Sequence, residues 1–523
     1  MAEVTEMKTL FKHKIFHPFF LAAYPVLALL AHNIEEIKFS TGLRALAASI
    51  VAAVIIFAVL KLLLKNWYSA GLVCSLAVAL FFSYGHLYNY LEQTSIFGMF
   101  LGRHRYLVPL WAALLILGFV LAVRKNEGQP NITGSLNIIA GFLLIIPVFQ
   151  LVVFATQVVP VLSQEQQPDT DISELHLIEG QDPPDVYYII LDSYTRGDVF
   201  QEIFEFDNAG FLDELRALGF YVASCSQSNY SQTRLSLAAS LNMKYLDEYL
   251  TDIGTHSEEM ARILPLARHS SVRQALEGLG YTTVSFETGH LPTQWEDTDY
   301  YLSSKAGLFS EAQNLGRLNE FEVMLLQTSA GLLLTDATTG LPQIFGNVSH
   351  SYWETYRDRI LYTLDRLEDV PAMRGPKFVF AHILAPHPPY VFGPNGEFVK
   401  EEKGKILGYR DQVAYVNQRM IPLLQAIIAN SATPPIIILQ GDHGPDSFTP
   451  SDRMAILNAY YLPNAGEQFL YEKMSPVNSF RVVLNTYFGG NYGLLEDISR
   501  YTLSREPYQF EVIPNEDQNC SDF

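Results

Sequence analysis

Residues 434–445 read PPIIILQGDHGP, a continuous apolar run that ends in Asp442 and His443, bracketed by Gly441 and Gly444. Residues 184–194, PDVYYIILDSY, end a similar run in Asp192. A third run, KFVFAHILAPHPPY at 377–390, places His382 and His387 at its exit. Carboxylate oxygens and imidazole nitrogens together suit a hard or borderline divalent cation. Glycines beside Asp442 and His443 let the backbone turn sharply and approach a ligand closely. Metal-assisted chemistry also needs a nucleophile. Residues 228–246, SNYSQTRLSLAASLNMKYL, offer Thr233 at or near the N-cap of a helix that starts at Arg234. A hydroxyl there faces the unpaired amides of the first turn, where a phosphate group is held. Metal coordination can activate it without a neighbouring base. Spacing leaves Ser231 and Ser236 as competing hydroxyls.

Taken singly, each residue has a structural reading. Asp192 could cap the segment after it, the Asp442–His443 pair could be a hydrogen-bonded turn, His382 could be a satisfied core histidine, and Thr233 a plain cap. Their shared placement at strand ends favours the functional reading, because ligands of open α/β sheets gather at the carboxyl ends of strands.

The elements that must position them follow from pattern. Apolar runs rich in Val, Ile, Tyr and Phe predict strands at Val186–Leu191, Tyr221–Ala223, Thr282–Phe286, Phe378–Ile383 and Ile436–Leu439. Continuous rather than alternating runs imply strands covered on both faces. Helical periods between them include Ala209–Leu218, Arg234–Tyr245, Ser271–Leu279, Tyr352–Leu367 and Tyr409–Ile428. This alternation predicts an α/β domain with a mostly parallel sheet flanked by helices.

The chain ahead of that domain has a different solvent. Five long apolar segments, near Ile15–Ala31, Leu43–Leu63, Ser69–Leu87, Tyr106–Val123 and Leu136–Val158, predict an α-helical membrane domain of five transmembrane helices. Seven Lys and Arg lie on one side (Lys8, Lys12, Lys14, Lys61, Lys65, Arg124, Lys125) against four on the other (Lys38, Arg44, Arg103, Arg105). The bias makes the first side cytoplasmic and, with an odd number of spans, puts the α/β domain outside the cytoplasm. The expected divisions are 1–162 membrane domain, 163–184 polar linker, 185–500 catalytic domain and 501–523 tail. Up to Pro160 there are 11 Lys and Arg against 6 Asp and Glu; of the totals, 35 and 55, that leaves 24 against 49. So acidic a second part excludes nucleic acid as a partner. Three cysteines exclude a disulfide scaffold, although Cys225 and Cys520 could pair.

The motifs together resemble the membrane-bound sulfatase-like family of the alkaline phosphatase superfamily, which includes lipoteichoic acid synthase and the lipid A phosphoethanolamine transferases. The resemblance implies one divalent ion (Mn2+, Mg2+ or Zn2+) held by Asp192, Thr233, Asp442 and His443, with Thr233 as the nucleophile that becomes covalently modified. It implies that His387, in His-x-Pro, contacts the transferred group, with His382 also toward substrate. The stretch ETGHLPTQW, 287–295, resembles a substrate pocket through His290 and Trp295. Three departures stand out: Asp192 replaces the Glu usual in those transferases, no C/S-x-P-x-R sulfatase signature follows Cys225, and cysteines are few. The expected activity is transfer of a phosphoglycerol- or phosphoethanolamine-type head group from a membrane phospholipid to a cell-envelope glycan or lipid acceptor, at the plasma (inner) membrane. The alternatives are an extracytoplasmic phosphodiesterase or phosphatase of the same fold, and a non-catalytic membrane scaffold or sensor.

Overall fold

The computed structural model describes residues 14–520 except 35–36, 93–94, 97–98, 101, 125–128, 159–171, 173, 178–179, 181, 249–262, 305–317, 336–347, 400–403, 446–448, 465, 504–505 and 516–519. Most of the expected linker 163–184 therefore lies outside the described residues. The chain divides into two compact units: Met1–Val159 with Phe309–Tyr352, and Pro160–Leu308 with Trp353–Phe523.

The first unit contains helices α1 (His17–His32), α2 (Leu43–Leu64), α3 (Trp67–Glu92), α4 (His104–Arg124) and α5 (Gln129–Val153), one at each expected span. Four of these segments are long and apolar enough to cross a membrane; α1 is a shorter apolar helix of 16 residues. Leu62, Leu63, Ile116 and Phe142 are exposed on their outer faces, as lipid-facing side chains must be.

The expected continuous domain 185–500 is interrupted, because 309–352 groups with the membrane helices. Helix α6 (Glu320–Gln327) explains why. Asn319 and Glu322 form a reciprocal capping box at its start. Phe321 is buried among Val26, Leu30, Ala45 and Leu151, and Glu322 pairs with Arg44, whose Nε donates at 2.6 Å. Further on, the Ala330 amide donates to the Phe81 carbonyl at 2.7 Å. Glu322→Ala removes the ion pair and half of the capping box, so it should destabilise this unit by about 1–2 kcal/mol. A lowered unfolding midpoint in detergent checks this, and an unchanged midpoint contradicts it.

The second unit is built on a seven-stranded sheet. Its strands are β1 (Val186–Leu191), β2 (Tyr221–Val222), β3 (Thr282–Phe286), β4 (Tyr300–Leu302), β5 (Lys377–Ile383), β6 (Ile436–Gly441) and β7 (Asn458–Tyr461). Their spatial order is β2-β7-β6-β1-β5-β3-β4. Pairings among β6, β1, β5, β3 and β4 are parallel, and β7 runs antiparallel to both its neighbours. All five expected strands are present. The sequence reading missed β4 and β7, which are short and lack a long apolar run.

Central β1 shows why its sequence is apolar throughout. Tyr187, Ile189 and Leu191 enter one buried cluster, while Val186, Tyr188 and Ile190 enter another. Alternate side chains point to opposite faces, and here both faces are dry. Register then fixes the chemistry: Leu191 pairs with Ile383 of β5 and Gly441 of β6. Asp192 and Asp442 consequently leave neighbouring strands at the same level, with His382 beside them. The region beyond 500, expected as a tail, contributes strand residues. Strands β8 (Ser499–Leu503) and β9 (Glu506–Ile513) form an antiparallel hairpin that spans the expected boundary.

Candidate active site

The strand ends bring Asp192, Asp442, His443 and His382 into one buried cluster. Ligand atoms of Asp192, His382 and Asp442 all lie within 4.8 Å of one another. Asp192 Oδ2 is 3.4 Å from His382 Nε2, and its Oδ1 is 4.0 Å from His443 Nε2. Asp442 Oδ2 is 3.3 Å from His443 Nε2.

Hydrogen-bond partners assign the protons. His443 Nδ1 lies 2.8 Å from the Gly444 carbonyl, an acceptor only, so this nitrogen carries hydrogen and Nε2 presents a lone pair. The Thr233 hydroxyl, 3.1 Å away, donates to that lone pair. His382 Nδ1 lies 2.9 Å from the Thr293 hydroxyl. Thr293 gives its own proton to Thr288 Oγ1 or the His290 carbonyl, so it accepts from His382. His382 Nε2 therefore turns a lone pair toward Asp192.

Burial of Asp192 opposes its charge, but the positive charge that His387, and then His382 and His443, carry when protonated outweighs that cost and holds its pKa well below the usual carboxylate range. Burial, helped by the Arg453 guanidinium, pushes the His443 pKa down. An ionised carboxylate and a neutral imidazole are the forms that metal ligation demands. Among the described residues, Asp442 Oδ2 and His382 Nε2 are buried without a hydrogen-bond partner. Two carboxylates and the unpartnered His382 lone pair converging without a proton between them are a poor arrangement for an interior unless a cation joins them. The donor set fits a divalent ion.

Two carboxylates stay close because a residue outside the sequence expectations ties them. The Ser193 amide donates to Asp442 Oδ1 at 3.0 Å, and its hydroxyl donates to Asp192 Oδ1 at 3.1 Å. Ser193 adopts φ 64°, a left-handed conformation costly for a non-glycine residue, which surrounding contacts must hold. One such contact is the Tyr409 hydroxyl, which donates to the Ser193 carbonyl at 2.7 Å. The flanking glycines serve close approach rather than an unusual φ. A Cβ on Gly441 would lie 2.2 Å from the Tyr194 carbonyl oxygen, and one on Gly444 2.4 Å from that of Asp452.

Thr233 begins helix α7 (Thr233–Asn242) as its first helical residue; the N-cap is Gln232. The competing hydroxyls are engaged elsewhere. Ser231 is bonded to Thr502, and Ser236 to Ser228 at 3.0 Å. Arg453, in a short helix after β6, was not read from sequence. Its Nη1 and Nε donate to the carbonyls of Gly444 and Ser231, each at 2.9 Å, and Nη2 reaches His443 Nε2 at 3.3 Å. A fixed guanidinium thus stands beside the threonine–histidine pair. No local signal marks it, because Ser231 is 222 residues away along the chain.

His387 is half-buried, with Nδ1 2.6 Å from the Pro388 carbonyl. Of the stretch 287–295, the structure brings His290 near the cluster, its ring centroid 6.4 Å from that of His382. Trp295 is not brought there. Its indole is 1% exposed and stacks on Phe380 at 3.9 Å inside the core, so it cannot line an open substrate pocket. Cys225 is bonded to Cys520, as the sequence allowed.

Residues 184–481 match the model of the Sulfatase family. No curated protein matches the sequence. Among solved structures, the chain is similar to the integral membrane lipooligosaccharide phosphoethanolamine transferase A (EptA) from Neisseria meningitidis, at 12% identity and TM-score 0.39, over 93% of this chain and 95% of that one. It is also similar to the lipoteichoic acid synthase LtaP from Listeria monocytogenes, at 12% identity and TM-score 0.36, over 62% of this chain and 75% of that one. The periplasmic domain of phosphoethanolamine transferase EptC from Campylobacter jejuni gives 9% identity and TM-score 0.37, over 61% and 92%. The matched family stretch takes in more than half of the chain and every residue of the buried cluster, and the protein belongs to the sulfatase family.

Proposed function

We propose that the protein transfers a phospho-head group, of the phosphoglycerol or phosphoethanolamine type, from a membrane phospholipid to a cell-envelope glycan or lipid through a covalent phospho-threonine. The observation that carries this reading is the Thr233 hydroxyl, 3.1 Å from His443 Nε2 at the start of a helix and beside the buried carboxylates. Sulfate-ester chemistry of the aldehyde type has no support: Cys225 is consumed in a disulfide, and Thr233 carries a methyl group where an aldehyde needs hydrogen. The disulfide itself fits an oxidising compartment outside the cytoplasm. Apolar helices ahead of the domain fit a lipid donor.

Asp192, Asp442 and His443 would hold one divalent ion (Mn2+, Mg2+ or Zn2+), with Thr233 and His382 beside it. When bound, the ion supplies Lewis acidity that lowers the hydroxyl pKa and offsets charge on the phosphoryl group. Thr233 Oγ1, its proton released to solvent, bonds to phosphorus as the bond from phosphorus to the diacylglycerol oxygen breaks. His387, with Nδ1 occupied by Pro388, presents Nε2 to give that leaving oxygen its proton. The dipole of α7 and the Arg453 guanidinium stabilise negative charge on the nonbridging oxygens. An acceptor hydroxyl then attacks phosphorus, gives its proton back to His387, and frees Thr233, which takes a proton from solvent.

Arg453→Ala should lower kcat about 10²-fold, the scale of a lost oxyanion donor. Steady-state rates with donor in excess check it, and an unaltered kcat removes Arg453 from the chemistry. The function itself is tested with phosphatidylglycerol and phosphatidylethanolamine labelled in the head group, with and without envelope glycans. Label appearing on the glycan supports transfer. Label released only as free head-group phosphate would make the protein a hydrolase.

A further inference from the structure

Thr233 sits at the end of a segment, residues 225–232, whose alternate residues are gripped by the C-terminal segment. Cys225 is disulfide-bonded to Cys520, and its carbonyl accepts from Asn515 Nδ2 at 2.8 Å. Gln227 Oε1 accepts from the Ser499 hydroxyl at 3.0 Å. The Asn229 carbonyl accepts from the Arg500 amide at 2.9 Å, and its side chain donates to the Ile498 carbonyl at 3.0 Å. The Ser231 hydroxyl donates to the Thr502 carbonyl and accepts from the Thr502 amide, both at 3.0 Å. Between these positions, Ser228 faces the other way: its hydroxyl donates to the Asp442 carbonyl at 2.6 Å. Residues 225–232 are thus held between the strand end that carries Asp442 and the β8–β9 hairpin, and Thr233 follows two residues after the last grip.

This hairpin lies beyond the residues that the family model matches. Residues after β6 hold the other edge of 225–232, with the Ser228 amide donating to the Met454 carbonyl at 2.7 Å and Arg453 Nε to the Ser231 carbonyl at 2.9 Å; the C-terminal grip fixes the opposite edge at four alternate positions. We infer that Ser499, Arg500, Thr502, Asn515 and Cys520 form a clamp that positions the Thr233 hydroxyl against His443, with Ser231 and Thr502 as its nearest positioning residues and the Cys225–Cys520 bond as its staple. The inference rests on the phosphotransfer reading of Thr233. Misplacing a nucleophile by about 1 Å can cost about 10²-fold in rate. A clamp that only positions should act on kcat and leave donor binding alone.

The test uses the full-length protein and two variants, Ser231→Ala and Cys520→Ser; the first keeps the disulfide, so loss of folding in the second does not end the test. Hydrogen–deuterium exchange should show faster exchange of the amides of 226–235, with β1 and β6 still protected. Turnover of labelled phospholipid should show kcat lowered 10- to 100-fold, with KM for donor and affinity for Mn2+ unchanged. Faster exchange with unaltered kcat, or unaltered exchange in Ser231→Ala, overturns the clamp. A fall in Mn2+ affinity parallel to kcat also overturns it, since the hairpin would then be shaping the cation site. Wild-type protein that moves no head group overturns the phosphotransfer reading, and the clamp's purpose with it; wild-type transfer with indifferent variants overturns the clamp alone.

Discussion

Thr233→Ala should reduce phospho-head-group transfer by at least about 10⁴-fold, because a residue that forms the covalent intermediate has no substitute within the cluster. Ser231 and Ser236 cannot replace it. The Ser231 hydroxyl is turned toward Thr502, and that of Ser236 toward Ser228. Fold and cation binding should survive, since the threonine is only half-buried and His443 keeps its Gly444 hydrogen bond. Thr233→Ser, which retains the oxygen, should keep measurable turnover. Head-group transfer measured on all three proteins decides the matter, and turnover in the alanine variant near that of wild type contradicts the mechanism.

The second large effect concerns the cation. Asp442→Asn replaces an oxygen that is buried without a hydrogen-bond partner by an amide nitrogen that cannot ligate, or turns the amide oxygen inward with less charge. Affinity for a divalent ion should fall at least about 100-fold, the upper end of what even indirect partners cost. Titration of the chelator-stripped protein with Mn2+, followed calorimetrically, reads this without turnover. Wild type should bind one equivalent and Asp442→Asn should need far higher concentration. Equal binding by both proteins would place the ion elsewhere.

The sequence revealed what depends on one segment at a time. Because β1, β5 and β6 are buried on both faces, their runs are apolar end to end, and the first polar residues past each run mark the sheet edge. That is why the convergence of Asp192, Asp442, His443 and His382 at the sheet edge was legible without coordinates. Thr233 was legible as the opening of a helix, but its preference over Ser231 was not, since that choice is made by Thr502 from the far end of the chain. Ser193 and Arg453 were missed for the same reason: one acts through a left-handed backbone, the other through carbonyls of Gly444 and Ser231. Trp295 shows the opposite failure. Its neighbours His290 and Thr293 do reach the cluster, but a local sequence cannot say that the indole turns away to stack on Phe380. The segment 309–352 misled in a similar way, because the Arg44 and Phe321 contacts that draw it to the membrane helices join residues far apart along the chain.

The mechanism puts a phosphoryl group on one named oxygen. Full-length protein with Mn2+ and donor phospholipid, but no acceptor, is quenched in acid, weighed intact and sequenced by fragmentation. The mechanism predicts the added mass of the phospho-head group on Thr233, lost again when acceptor is supplied before the quench. Product formation with Thr233 unmodified throughout, or the added mass on another residue, would contradict it.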